Sequence, residues 1–160
     1  FIGFGSIALV SSLTAIFNAG GRLVFSAAAD KLKDRNSIYK IIFALSILFT
    51  ALTLFTNSID KGISLIVILL LCVVNAGYGG GFSNLPTLLS DRFGMDSISA
   101  VHGLALSAWA FAGLSGNQLS AFIIKTTGSY NNVLYVTLAL YILAMIISYT
   151  LVKPIKNSEF

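Results

Sequence analysis

Apolar residues run along this chain in five long blocks, separated by short polar connections. A helix rises about 1.5 Å per residue and the hydrocarbon core of a bilayer is about 30 Å thick, so about 20 apolar residues make one crossing. On that measure the blocks predict membrane-spanning helices at about residues 6–29, 40–57, 63–89, 99–124 and 132–152. The third and fourth are long for a simple crossing, which predicts tilt, a kink or interfacial ends. Residues 153–160 read as a tail, and 1–160 as one partial helical bundle.

Charge falls almost wholly in the connections. Five spans put successive loops on alternating sides. One side then collects Lys31, Lys33, Arg35, Lys40, Arg92, Lys153 and Lys156, and the other collects Lys61 and Lys125. Basic residues accumulate on the cytoplasmic face. The 30–39 loop, the C-terminus and the 153–160 tail are therefore expected in the cytoplasm, with Phe1 outside, and the plasma membrane is the expected location.

Composition agrees. The chain is 56% hydrophobic and 10% charged, with a mean hydropathy of +0.89. Soluble domains carry about 25% charged residues. An integral membrane protein is the expected class, with the lipid bilayer as its surroundings. A net charge of +4 does not argue for nucleic acid, because the basic residues sit where orientation signals belong. The one cysteine, Cys72, can form no internal disulfide. The chain opens on Phe1 with no visible signal peptide, and a piece of a longer protein is expected.

Glycine sorts the blocks. The second and fifth have none. The first has Gly20 and Gly21, the third Gly77, Gly79, Gly80 and Gly81, and the fourth Gly103, Gly113 and Gly116. Small residues let helices approach closely in lipid. The first, third and fourth spans are thus expected inside the bundle, and the second and fifth outside.

Three stretches could carry chemistry. In the first span, Arg22 lies eight residues before Asp30, roughly 12 Å inside the helix end. A charge at that depth costs about 2.5–3.5 kcal/mol on insertion scales, so it needs a partner or a watery cavity. Ser11, Ala15, Asn18, Arg22 and Ser26 share one small, polar face. This face could line a cavity and bind an anion. Alternatively, Arg22 pairs with an acid for structural reasons, but no Asp or Glu lies inside any of the five spans.

The third span reads Asn75-Ala76-Gly77-Tyr78-Gly79-Gly80-Gly81-Phe82-Ser83-Asn84-Leu85-Pro86. Three consecutive glycines and a proline weaken a helix, and interrupted helices are found near transporter binding sites. Gly79, Gly80, Gly81 and Pro86 are candidate hinge residues, with Tyr78 and Phe82 as aromatic walls one turn apart. Close helix packing by the glycines is the other reading. In the fourth span, His102, Leu106, Trp109, Gly113 and Gly116 share a face. Trp109 is too deep for an interfacial belt and is expected toward a cavity, and Gly113 is a further hinge candidate. His102 could relay protons or serve as a local hydrogen-bonding group. No nucleophile with a base, metal-ligand cluster or phosphate loop is present, so neither an enzyme nor a bound cofactor or metal is expected.

These residues resemble a known family. Phe17-Asn18-Ala19-Gly20-Gly21-Arg22, followed by Asp30-Lys31-Leu32, resembles the eighth span and following loop of the major facilitator superfamily. In that loop signature Ser26 stands in place of a glycine, and Lys33-Asp34-Arg35 in place of Gly-Arg-Arg; Asp30, Lys31 and Arg35 carry the likeness. Gly77 to Pro86 with Leu89-Ser90-Asp91-Arg92-Phe93-Gly94, and Val101 to Trp109, look like the tenth and eleventh spans of the oxalate/formate antiporter family, a branch related to monocarboxylate transporters. The resemblance implies an all-α membrane protein, five of the twelve helices of this fold (spans eight to twelve), working with a missing N-terminal half. It also implies secondary active transport of small organic anions by alternating access. Under it, Arg22 matches a carboxylate-binding arginine, Tyr78 and Phe82 match aromatic positions of the oxalate site, and Trp109 stands where the oxalate carrier has a lysine. One cation in place of two favours a monocarboxylate, or a dicarboxylate completed by a residue of the missing half. Asn18 stands where proton-coupled relatives have an aspartate, and an amide cannot titrate. The other expectations are a facilitator-type carrier of a sugar, drug or peptide, and a membrane protein with a structural or receptor-like role.

Overall fold

The computed structural model describes residues 4–59 and 64–152. Five helices make up nearly all of it: α1 Phe4–Ala29, α2 Asn36–Ile59, α3 Ser64–Phe93, α4 Ile98–Thr127 and α5 Tyr130–Thr150. All five are long and apolar enough to cross a membrane. The expected tail at 153–160, with Lys153 and Lys156, the loop charges Asp60 and Lys61, and Phe1 lie outside the described residues.

The connections show why the helices begin and end where they do. At the start of α2, the Asp34 carboxylate accepts a 3.1 Å hydrogen bond from the Asn36 backbone N–H. That bond satisfies a donor the helix cannot use itself. So α2 starts at Asn36, four residues ahead of the apolar block at 40, because the block omits its polar first turn. Between α4 and α5 the connection is only Gly128-Ser129. Gly128 takes a left-handed φ of 66° and closes α4 onto the Ile124 carbonyl, while Ser129 caps α5 by accepting from Asn131 N–H. Gly94, with φ 76°, turns the chain from α3 into the short 3₁₀ turn Met95–Ser97 ahead of α4.

Helix α3 is the hub. It packs against α1 on one side, α2 on another and α4 on a third, and α2 in turn packs against α5. The α1–α3 contact is very close. A Cβ on Gly21 would strike the Ala76 backbone, one on Gly79 the Asn18 carbonyl, and one on Gly80 the Phe25 ring. Ser26 and Ser83 share a 2.8 Å hydrogen bond across the same seam. The glycines therefore act as contact points, and α3 runs unbroken through Gly79–Gly81 and Pro86. Neighbouring side chains supply extra donors to this stretch: Tyr39 Oη donates to the Gly81 carbonyl at 2.8 Å, and Asn84 Nδ2 to the Gly80 carbonyl at 2.8 Å.

Glycine content does not sort these helices as expected. Glycine-free α2 is buried along one face by Asn36, Ile38, Ile42, Ser46, Thr50, Thr53 and Leu54. Its buried face carries the small hydroxyl residues Ser46, Thr50 and Thr53 and no glycine. Thr53 remains satisfied when buried because its hydroxyl donates to the Phe49 carbonyl at 2.8 Å. Conversely, α4 has no buried residue, and Gly103, Gly113 and Gly116 have no atom near an added Cβ among the described residues. In α5 only Ser148 is buried.

Polar contacts join α2 and α5 at three levels. Asn36 Nδ2 donates to the carbonyls of Ser148 (3.0 Å) and Val152 (3.2 Å), and Ser148 Oγ donates to Asn36 Oδ1 at 3.1 Å. One turn along α2, Lys40 Nζ lies over the Tyr149 ring, 4.5 Å from its centroid. Asn57 Nδ2 donates to Asn131 Oδ1 at 3.1 Å near the opposite end.

Candidate functional site

Arg22 lies on α1 where the helix crosses α3. Gly79 leaves room for this crossing: a Cβ there would meet the Asn18 carbonyl and come within 3.2 Å of Arg22 Cγ. The Arg22 Nε donates to Asn18 Oδ1 at 3.4 Å, a long hydrogen bond one helical turn away. Asn18 Nδ2 in turn donates to the Asn75 carbonyl on α3 at 3.2 Å. Arg22 itself is exposed to the surroundings of the bundle, and no ion pair among the described residues includes it.

The aromatic residues gather on the next face of α3. Tyr78 and Phe82 have ring centroids 5.1 Å apart, and Phe82 meets Trp109 edge to face at 5.5 Å. Such tilted and edge-on pairs match the ring quadrupoles. Trp109 Nε1 donates to Tyr78 Oη at 2.9 Å, so the indole N–H is satisfied across the α3–α4 gap. Behind these rings a cavity of about 350 Å³ opens between α2, α3, α4 and α5, with Tyr39, Phe43, Ser46, Tyr78, Phe82 and Trp109 among its walls.

The structure thus brings the candidate residues together in two groups. Asn18 with Arg22 forms one, and Tyr78, Phe82 and Trp109 form the other. They flank Gly79 on α3, and Arg22 is not part of the cavity wall. Gly80 and Gly81 hold the seams to α1 and α2, Pro86 lies further along the unbroken α3, and Gly113 is uncovered on α4. His102 stands apart, in the second turn of α4; its Nδ1 is buried without a hydrogen-bond partner.

The loop-signature residues form a separate cluster at the end of the bundle. Arg35 bridges two acids, Asp30 at 2.9 Å and Asp91 on α3 at 3.1 Å. Arg92 lies 3.9 Å from Asp34. Lys31 is exposed beside them. Asp91 and Arg92 stand in the sequence as span-end charges within the stretch that resembles a tenth span, and nothing in their spacing to residues 30–35 announces the pairing. The carbonyl of Asn75 likewise carries no side-chain signal, although it fixes Asn18. Tyr39 is missed for a related reason: a single hydroxyl in an apolar block does not reveal which carbonyl it reaches.

No metal-binding group of three or more His, Cys, Asp or Glu occurs among the described residues. No curated protein and no solved structure matches the chain. The family model described as Major Facilitator Superfamily matches residues 2–160, virtually the whole sequence. With five apolar helices, no strand among the described residues and this match, the chain belongs to the major facilitator superfamily, a family of multi-pass membrane transporters.

Proposed function

We propose that this chain is part of a secondary transporter for small organic anions, of monocarboxylate or oxalate/formate type, that works by alternating access. The observation that carries this reading is Arg22. It sits two turns inside the end of α1, exposed; among the described residues its guanidinium donates to a neutral amide and pairs with no carboxylate. A charge inside the membrane is retained where it meets a ligand or a watery path. A guanidinium offers a planar fork that suits a carboxylate.

In this reading Arg22 binds the carboxylate, and Tyr78, Phe82 and Trp109 form the apolar wall beside it. A small carboxylate held by one cation and an aromatic wall binds weakly enough to be released, as transport requires. The Gly79–Gly81 and Gly113 regions accommodate the helix movements of the cycle, and Pro86 weakens α3 beyond them. The five helices correspond to spans eight to twelve and work against an N-terminal half, in the plasma membrane with the C-terminus in the cytoplasm. His102 contributes at most a local proton relay.

Uptake of labelled formate, lactate, pyruvate and oxalate into proteoliposomes holding the full-length transporter tests the reading, with Arg22→Gln beside it. Saturable uptake that the variant loses is the expected result. Uptake that survives Arg22→Gln unchanged removes the arginine from the site. Absence of uptake for every carboxylate turns the reading toward a facilitator-type carrier of another solute.

A further inference from the structure

The cavity of about 350 Å³ between α2, α3, α4 and α5 is lined almost wholly by carbon. Two of the polar groups on its wall are already engaged inside the protein. Tyr39 Oη donates to the Gly81 carbonyl, and Trp109 Nε1 donates to Tyr78 Oη. Water needs about two to four polar partners, and this lining offers it little. An empty apolar space, in turn, forfeits the contacts its lining would make. Arg22 lies outside the wall. Helix α4 carries no buried residue and α5 only Ser148, so these two helices close the cavity incompletely. In a membrane-spanning chain the apolar filling at hand is the lipid tail, which is as apolar as leucine.

A cation stands at one end of this space. Lys40 follows Tyr39 on α2, and Phe43, one turn on, shares its face; Tyr39 and Phe43 both belong to the cavity wall. Ser46, the last α2 residue on the wall, is roughly 9 Å further along the helix axis. Lys40 Nζ lies 4.5 Å from the centre of the Tyr149 ring on α5. An aromatic ring orders an ammonium without neutralising it, because the ring has no net charge. Among the described residues no ion pair includes Lys40. Asp30 and Asp91 at this end of the bundle are held by Arg35, and Asp34 faces Arg92. Lys40 is in the second turn of α2 and Tyr149 in the last turn of α5, the level at which lysines and tyrosines meet headgroups.

We propose that the α2–α5 seam and the cavity beside it form a site for an anionic phospholipid. Lys40 holds the headgroup phosphate, and one acyl chain lies in the cavity against Phe43, Phe82 and Trp109. The charge and the apolar space match the two ends of one amphiphile. A zwitterionic headgroup carries its own cation, which competes with Lys40 for the phosphate, so the site prefers a lipid of net negative charge. The chain supplies the apolar neighbours that α4 lacks at the level of Trp109. The site holds this lipid whichever solute the carrier moves.

The test places the full-length transporter in phosphatidylcholine vesicles containing a small fraction of lipid brominated on its acyl chains. Bromine quenches tryptophan on contact, and Trp109 is on the cavity wall. The Trp109→Phe protein, measured beside the wild type, isolates the Trp109 emission. Brominated phosphatidylglycerol should reach half-quenching at a mole fraction about fivefold lower than brominated phosphatidylcholine, the scale of one lysine acting on an anionic lipid. Lys40→Gln should bring the two lipids level, and Lys40→Arg should keep most of the difference. Val74→Phe, which sets a ring in the cavity with Lys40 intact, should weaken quenching by both lipids. Equal quenching by the two lipids in the wild type overturns the proposal. A phosphatidylglycerol preference that survives Lys40→Gln also overturns it. Quenching that Val74→Phe leaves unchanged puts the acyl chain outside the cavity and overturns it as well. Lys40→Gln touches no buried contact of the cavity, so its outcome decides even if Val74→Phe fails to fold.

Discussion

Gly79 of α3 lies against the backbone carbonyl of Asn18 on α1, with no space between them for a side chain. The two helices meet backbone to backbone at the level of Arg22. Gly79→Ala should force them apart or shift the Arg22 stem, costing about 1–3 kcal/mol as overpacked contacts do. Gly81→Ala is the control, since its added Cβ meets only Tyr39 Cε1 at an ordinary 3.6 Å. Thermal midpoints of the two purified variants should separate clearly, with Gly81→Ala close to wild type. Equal midpoints would show that the α1–α3 seam is softer than this packing requires.

Asn36 is 2% exposed and holds the end of α5 through two donated bonds and one accepted bond. Asn36→Ala strips the partner from Ser148 Oγ and the donors from two carbonyls, so a loss of about 1–3 kcal/mol is expected. Ser148→Ala removes one of the three bonds and should cost less. Because the two side chains bond each other, the double variant should be milder than the sum of the singles. Detergent-solubilised thermal melts of the four proteins provide the cycle.

Trp109 donates to Tyr78, and the two rings flank Phe82. Tyr78→Phe leaves the indole N–H without its acceptor while keeping the ring stack. Trp109→Phe removes the donor. Interhelical hydrogen bonds in membranes average about 0.6 kcal/mol and reach about 1.7, so the coupling between the two substitutions should fall in that range. A coupling of zero would mean that the α3–α4 contact depends on the rings alone.

Arg35 stands between Asp30 and Asp91 at the charged end of the bundle. Its side chain is 26% exposed, and the acids are 64% and 41% exposed, so solvent screens much of the attraction. Arg35→Ala should lower stability by only about 0.5–1 kcal/mol at low ionic strength, and less in high salt. Arg35→Lys, with one compact ammonium, should not hold both acids equally well. Melting curves at two salt concentrations check both statements.

Much of the fold is legible in the sequence because bilayer thickness imposes a length on every apolar block, and the five helices follow those blocks. The edges are less legible. Asn36 and Ser37 start α2 as polar residues, and only the Asp34 bond explains why the helix extends that far back. Glycine proved a poor guide to burial for a physical reason: Ser46, Thr50 and Thr53 are small enough to be buried on α2 without glycine, while the α4 glycines meet no neighbour among the described residues. The isolated charge of Arg22 stands out in the sequence, since nothing else in its block is ionisable. The arrangement around it does not, because Asn18 is held by a backbone carbonyl 57 residues away.

The Asn36–Ser148 contact also sets a schedule for making the protein. Its partners are 112 residues apart in the chain. At roughly 5–20 residues per second, α2 is synthesised about 6–22 s before α5 can receive the Asn36 amide. During that interval a polar side chain and its helix depend on water, lipid headgroups or the insertion machinery for partners. The arrival of α5 therefore does more than add a helix to the bundle: it supplies the partners that the Asn36 amide has lacked since α2 was made.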